Sequence, residues 1–390
     1  MKSPTETRNF WLLALLGGLV SAIGLGAAHY MELHGHVVTG MNNQVVWGIP
    51  HVFAIFMIVA ASGVLNVASI GSVFGQTDYK PRAPLSGLLS IALLMGGLMV
   101  LMLDLGRPDR VIVAATNFNP TSVFAWNVVL YSGMVGIVAV YLFTMLERRF
   151  NHFSRTVGLA ALVWRFILTT GTGSIFAFLV ARQAYQSALL APLFIVLSFG
   201  WGLAVFLLTQ SSMFAWTNRH LTPHIERRMA RLLGVFIAAA LYLVAVYHLT
   251  NLYYARQVGF EAFILLNGGI FPLLFWLGYV IFGTLIPLVL LFHPALIGER
   301  STAFASVLVI GGALSWLFVF IIGGQSFPLE IFPGYVATST FADGQIAHYV
   351  PSLPELLLGV GGIGVAFLLT IIGIRVLNYM PPDDYIVHKS

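Results

Sequence analysis

Two short polar runs interrupt an otherwise apolar chain: His29-Tyr30-Met31-Glu32-Leu33-His34-Gly35-His36 and Asp104-Leu105-Gly106-Arg107-Pro108-Asp109-Arg110. Each stands at the end of a long hydrophobic segment. A charged side chain at mid-bilayer costs about 2.5–3.5 kcal/mol on insertion scales and less near an interface, so ionisable groups kept there point to a site. A helix continuing past Tyr30 carries His29, Glu32 and His36 on one face at spacings of three and four, where an imidazole and a carboxylate can share a proton. That face suits a quinol head group, whose oxidation releases two protons with two electrons and needs an acceptor within reach of the hydroxyl. Glu32 and His36 are therefore expected as a catalytic, proton-accepting pair. The competing reading is that they only wet the helix end.

Other polar groups should gather at the same depth. His51 follows Trp47-Gly48-Ile49-Pro50 at the start of one apolar segment, Tyr247 and His248 close another, and Glu355 opens the last. His29, His51 and His248, with Asp104 and Arg107, are the expected cofactor-binding residues. Axial ligation of haem by these histidines is the alternative, but haem pairs face each other deeper in a bundle and these crowd one edge. The alternating signs of the second run predict that Asp104 pairs with Arg107 and holds it toward a quinone carbonyl. Asn119-Pro120-Thr121-Ser122 reads as a capped helix start. Arg165, seven residues inside a segment near Thr169, Thr170 and Thr172, either snorkels to the interface or joins a charge pathway. Gly359-Val360-Gly361-Gly362-Ile363-Gly364 fits a dinucleotide fingerprint in form only; within an apolar span and after no strand, it predicts close helix packing. His34-Gly35-His36 with Met31 and Met41 lacks a firm third spacing, and no metal is expected.

The elements that must carry these residues follow from composition. Hydrophobic residues make up 58% and charged residues 8%, with a mean hydropathy of +0.90, against about 25% charged for soluble domains. Apolar runs of about 20 residues or more fit helices crossing roughly 30 Å of hydrocarbon, whereas barrel strands would alternate over about ten. The expected fold is an all-α, polytopic transmembrane bundle of ten spans at about 10–30, 47–74, 84–103, 122–146, 158–181, 189–210, 230–252, 265–292, 301–323 and 351–378, forming a single domain over 1–390. The first run is too long for a signal-peptide core and is read as retained. Every Lys and Arg falls on the side of the N-terminus except Arg107, Arg110, Arg182, Arg256 and the intraspan Arg165. That bias puts both termini in the cytoplasm and the two polar runs on the far side of a bacterial cytoplasmic membrane. The net charge of +5 thus reports topology and predicts no nucleic-acid partner. The connector 324–350, with Phe327, Ile331, Phe332, Tyr335 and Phe341 among turn residues, reads as an ordered outer cap or docking loop. The chain has no cysteine, so it holds no cysteine-ligated iron–sulfur cluster and no covalent c-type haem; redox work needs a diffusible cofactor or a partner's centres.

Ten spans, Asp104-Leu105-Gly106-Arg107-Pro108 after the third, and Asn119-Pro120-Thr121-Ser122 leading to Trp126 together resemble the NrfD/PsrC family, the membrane subunits of polysulfide-reductase-like quinone oxidoreductases. The resemblance covers nearly the whole chain. Within the family, Val38 to His51 is most similar to DsrP-type subunits of sulfite-reductase-linked complexes, and next to HybB-type hydrogenase subunits. It implies a haem-free site for menaquinone or ubiquinone near the outer face, beside a partner subunit with iron–sulfur clusters, and places Glu32, His36, Asp104 and Arg107 at the family's polar positions. Two more spans than the smaller members is a departure. A secondary transporter is the rival, since Pro272, Gly283 and Pro287 could mark a broken helix; transporters, however, bind near the midplane, and here the ionisable groups lie at one edge.

Overall fold

The computed structural model describes residues 4–217, 223–329 and 344–377, and all regular structure among them is helical. Among the described residues, ten helices are long and apolar enough to span a bilayer: α1 (Asn9–His34), α2 (Ile49–Ser72), α3 (Thr77–Leu103), α4 (Val123–Leu146), α5 (Arg148–Ala177), α6 (Leu190–Trp216), α7 (His224–Tyr253), α8 (Ile270–Phe292), α9 (Glu299–Ser326) and α10 (Leu353–Val376). Alternation along the chain brings the ends of α1, α3, α5, α7 and α9 to one face, which is called the outer face from the charge bias described above. Proline at the first helical positions pre-sets the entry of α2 and α10. Ser122 caps α4 through its hydroxyl, which accepts from the Ala125 N–H, as expected of the Asn-Pro-Thr-Ser element.

The packing divides the helices into two four-helix bundles, α2 to α5 and α6 to α9, joined where α6 lies against both α2 and α5. Helix α10 covers α2 and α3, and α1 packs chiefly on α10; Trp11, Leu15 and Leu19 on α1 stay exposed, as lipid-facing residues should. An aromatic seam fills the junction: Phe176, Phe194, Trp316 and Phe320 meet face to face or edge-on with centroids 4.8–6.1 Å apart. Hydrocarbon supplies no hydrophobic drive between helices, so close contact depends on small residues that let backbones approach. A Cβ on Gly361 would lie 2.5 Å from the Gly24 Cα, and Gly362 meets Val100 and Met57 equally closely. The apparent dinucleotide fingerprint is therefore the surface that seats α10 against α1, α2 and α3.

Helix α8 runs without a break across the prolines that suggested one. Its stretch Leu274–Leu285 is π-helical, and Pro287 sits at the start of the α-turns that resume beyond it. Similar π segments occur at Phe263–Asn267 and Phe318–Gly323; such turns cluster at functional sites. Ile331, Phe332, Tyr335 and Phe341, assigned to an outer cap, lie outside the described residues. Phe327, at the edge of that connector, packs on Phe260 and Phe263.

The junction between bundles gives a direct test. A Cβ on Gly63 would fall 1.6 Å from the Ser198 carbonyl oxygen, whereas one on Gly18 meets nothing within 4 Å. Gly63→Ala should therefore cost at least the ~1–3 kcal/mol of an overpacked core and lower the thermal midpoint in detergent, while Gly18→Ala leaves it unchanged or slightly raised.

Candidate functional site at the outer face

Helix α1 ends at His34, and Gly35, at φ 76°, turns the chain into a short 3₁₀ segment, His36–Val38. His36 is consequently off the helical face shared by His29 and Glu32, and the expected Glu32–His36 hydrogen bond does not form. Instead the His36 Nε2 accepts the Gly106 N–H at 3.1 Å, and His34 Nδ1 contacts the Tyr30 carbonyl oxygen at 3.0 Å. His29, Glu32 and His36 are nevertheless brought together: with Leu103, Gly106 and Pro108 they line a cavity of about 110 Å³ between the outer ends of α1 and α3. His29 and Glu32 are exposed and His36 half-buried.

Asp104, directly after α3, is buried, and its Oδ2 lies 2.8 Å from His51 Nδ1 in the first turn of α2. The contact is off the line of a good hydrogen bond, so both Asp104 oxygens are left without a hydrogen-bond donor among the described residues. A buried carboxylate in that condition is costly, and a ligand donor would relieve it. His51 keeps a partly exposed ring, and its Nε2 has no partner among the described residues. Asp104 adjoins Leu103 and stands two residues before Gly106, both of which line the cavity, although neither Asp104 nor His51 lines it itself. Trp47 stacks on His51, centroids 6.0 Å apart, and meets Phe176 edge-on at 5.6 Å.

Three groups that sequence reasoning passed over hold the outer end of α2. Gln325 Oε1 accepts from the Val46 and Trp47 N–H groups at 3.0 Å each, and its Nε2 donates to the Trp47 and Ile321 carbonyls. Arg182 donates to the carbonyls of Gln44 and Gln325. The Ile49 N–H donates to Tyr349 Oη at 2.7 Å, and the Tyr349 hydroxyl donates in turn to Glu355 Oε1 at 2.8 Å. Glu355, noted at this depth but given no task, is fully buried; it accepts from Gly40 N–H and Ser352 N–H and forms a capping box with Ser352 at the start of α10. A buried Gln and Glu in apolar surroundings were the available signal.

The structure distributes three of the polar groups differently from their expected contacts. Arg107 does not pair with Asp104; it forms a bidentate contact with Asp109, 3.0 and 3.1 Å, with both side chains mostly exposed. Sitting only two positions away, Asp109 lets Arg107 curl back on its neighbour, whereas Asp104 points inward to His51. That mutual contact raises the Arg107 pKa and lowers that of Asp109. His248 does not join His51: it contacts Glu261 in the second bundle at 2.6 Å. Arg165 does not snorkel. It is buried between α2 and α5, donating to the Ser62 carbonyl at 3.2 Å and to Asn66 Oδ1 at 2.5 Å, with Phe166 and Phe199 against its guanidinium.

Comparison with known proteins places the chain in a family. The family described as Polysulphide reductase, NrfD matches residues 37–329, from the turn beside His36 through Gln325. The chain belongs to the NrfD family. Among its relatives, an Hdr-like menaquinol oxidoreductase integral membrane subunit of Archaeoglobus fulgidus is 31% identical, over 96% of this chain and 95% of the relative. A putative membrane subunit of dimethyl sulfoxide reductase from Halobacterium salinarum is 29% identical over 94% and 90%. A selenate reductase subunit of Mesobacillus selenatarsenatis is 23% identical over 92% of each. This NrfD-family chain is thus a multi-pass integral membrane protein whose relatives are subunits of oxidoreductases, two of them named as membrane subunits.

The clamp on α2 predicts an alkaline signature. Burial, then the adjacent Glu355, raise the Tyr349 pKa above its ordinary value of 10. A phenol whose folded pKa exceeds its unfolded one binds more protons when folded, so its contribution is complete below pH ~10 and lost as pH rises further. Tyr349→Phe should remove a hydrogen bond to a buried carboxylate, costing about 1–3 kcal/mol near neutrality, and flatten the decline of thermal stability above pH ~10.

Proposed function

We propose that this protein is the quinone-interacting membrane subunit of a respiratory redox complex, exchanging electrons between membrane quinol and an iron–sulfur partner subunit. The observation that carries the reading is the His51–Asp104 pair: a buried carboxylate with no hydrogen-bond donor among the described residues, against an imidazole with a free Nε2, in the chain segment whose Leu103 and Gly106 line an outer-face cavity. Quinol oxidation delivers two electrons and two protons. Asp104 orients His51 with Nδ1 toward itself, leaving Nε2 as the atom that accepts a proton from the substrate hydroxyl, and the carboxylate stabilises the imidazolium so formed. His29, Glu32 and His36 then carry the proton from the cavity to the exposed rim, with Glu32 as its exit. A chain without cysteine has no thiolates for an iron–sulfur cluster, which supports passage of the electrons to a neighbouring subunit. The name of the Archaeoglobus relative, a menaquinol oxidoreductase subunit, supports menaquinone as the substrate. Assignment to sulfite-linked sulfur metabolism in a bacterial cytoplasmic membrane rests on the likeness of Val38 to His51 to DsrP-type subunits; a HybB-type hydrogenase partner is the second setting.

Substitution in the purified complex tests the pair. Asp104→Asn keeps the shape but removes the charge that holds His51, and quinol turnover should fall by about 10²–10⁴-fold, the range for loss of a positioned proton acceptor. Glu32→Gln should slow turnover less, and Arg107→Gln, on the exposed rim, least of all. Unchanged turnover in an assembled Asp104→Asn complex rejects the site. A haem spectrum from the isolated subunit would reject the haem-free assignment.

A further inference from the structure

His248 and Glu261 form a second pair of the same kind. His248 Nδ1 lies 2.6 Å from Glu261 Oε2, Asn251 Nδ2 donates to Glu261 Oε1 at 2.7 Å, and Glu261 is fully buried. With both carboxylate oxygens occupied, the imidazole is fixed with Nδ1 inward. Its Nε2 has no partner among the described residues and is not sealed from the surface. His51 and Asp104 have this arrangement in the first bundle, His248 and Glu261 in the second, both at the outer end, and in both an imidazole turns Nδ1 to a buried carboxylate and its Nε2 away from it.

The surroundings separate this pair from a simple tie between helices. Burying a carboxylate carries a penalty of several kcal/mol before pairing, and a neutral amide would tie the same backbone segments without it. Glu261 stands two residues before the π turn Phe263–Asn267, and the Phe275 ring, edge-on to His248 at 4.8 Å, belongs to the π stretch of α8. Unwound turns of this type redirect side chains and recur at binding sites. Around them Leu249, Tyr253, Leu273 and Trp276 are all exposed at the outer ends of α7 and α8, an apolar and aromatic surface at lipid depth.

We propose that His248, oriented by Glu261 and Asn251, accepts a hydrogen bond at Nε2 from the hydroxyl of a second tailed aromatic alcohol of the quinol type, seated on the lipid-facing outer edge of α7 and α8. The ligand class rests on the quinol reading of the first pair; the position does not. The full-length chain in lipid nanodiscs can be titrated with a heptyl-tailed hydroxyquinoline N-oxide, a fluorescent analogue bearing the required hydroxyl. Two molecules should bind per chain, falling to one in Asp104→Asn, one in His248→Asn and none in the double variant. Glu261→Gln, which preserves the hydrogen-bonded frame, should weaken the second site about tenfold or more by removing the charge behind the imidazole, and it carries the test where His248→Asn fails to fold. A single site lost in Asp104→Asn and untouched by His248→Asn or Glu261→Gln overturns this proposal and spares the first. A single site lost in His248→Asn and untouched by Asp104→Asn upholds it and overturns the first; no binding overturns both.

Discussion

A carboxylate kept dry at the edge of a membrane, and the scaffold that keeps it so, is the constraint on which the outer half of this protein depends. Asp104 is held against His51 only while the first turn of α2 stays in place, and that turn rests on groups distant in sequence: Tyr349 under Ile49, Gln325 under Val46 and Trp47, Arg182 over Gln44. Each bond ends on backbone near the start of α2, so the backbone that carries the imidazole is fixed by its own carbonyls and N–H groups, and Asp104 and Trp47 then set the ring. Glu355 contributes through Tyr349 and, by capping α10, links the helix covering α2 and α3 to the same anchor.

The inner packing is of another kind. Between the helices, glycines at Gly24, Gly63, Gly202 and Gly361 bring backbones close enough for dispersion to hold what water cannot press together. Arg165 is the exception. A guanidinium buried with carbonyl and amide oxygens for company, and with two phenyl rings against it, ties α5 to α2 and keeps a positive charge inside the first bundle.

Much of this was legible in the chain itself. Spans were readable because hydrocarbon imposes length and apolarity, and their ends were off by up to about ten residues where polar turns stay helical: α1 continues to His34 and α5 begins at Arg148. The residues of the site were readable by type, since His and Asp are rare here, but their pairing was not. Spacing on a helical wheel joined Glu32 to His36, and Gly35 breaks that wheel with a positive φ. Charge alternation joined Asp104 to Arg107, while the closer partner for Arg107 was Asp109, two residues away. Contacts such as Asp104 with His51, Tyr349 with Ile49 and Gln325 with Trp47 bridge helices whose order in space a single sequence does not state.

Helix α1 leans on α10, leaving its other flank to the lipid, and the cavity floored by Leu103 and Gly106 opens between α1 and α3. For the quinol of the proposed function, that arrangement points to entry from the side. A long-tailed substrate can slide in from the leaflet with its tail still dissolved, so what it meets is a concentration in two dimensions, set by its mole fraction in the bilayer. Dilution with lipid then starves the protein as surely as dilution of a soluble substrate in buffer, and headgroup composition at the outer leaflet becomes part of its kinetics.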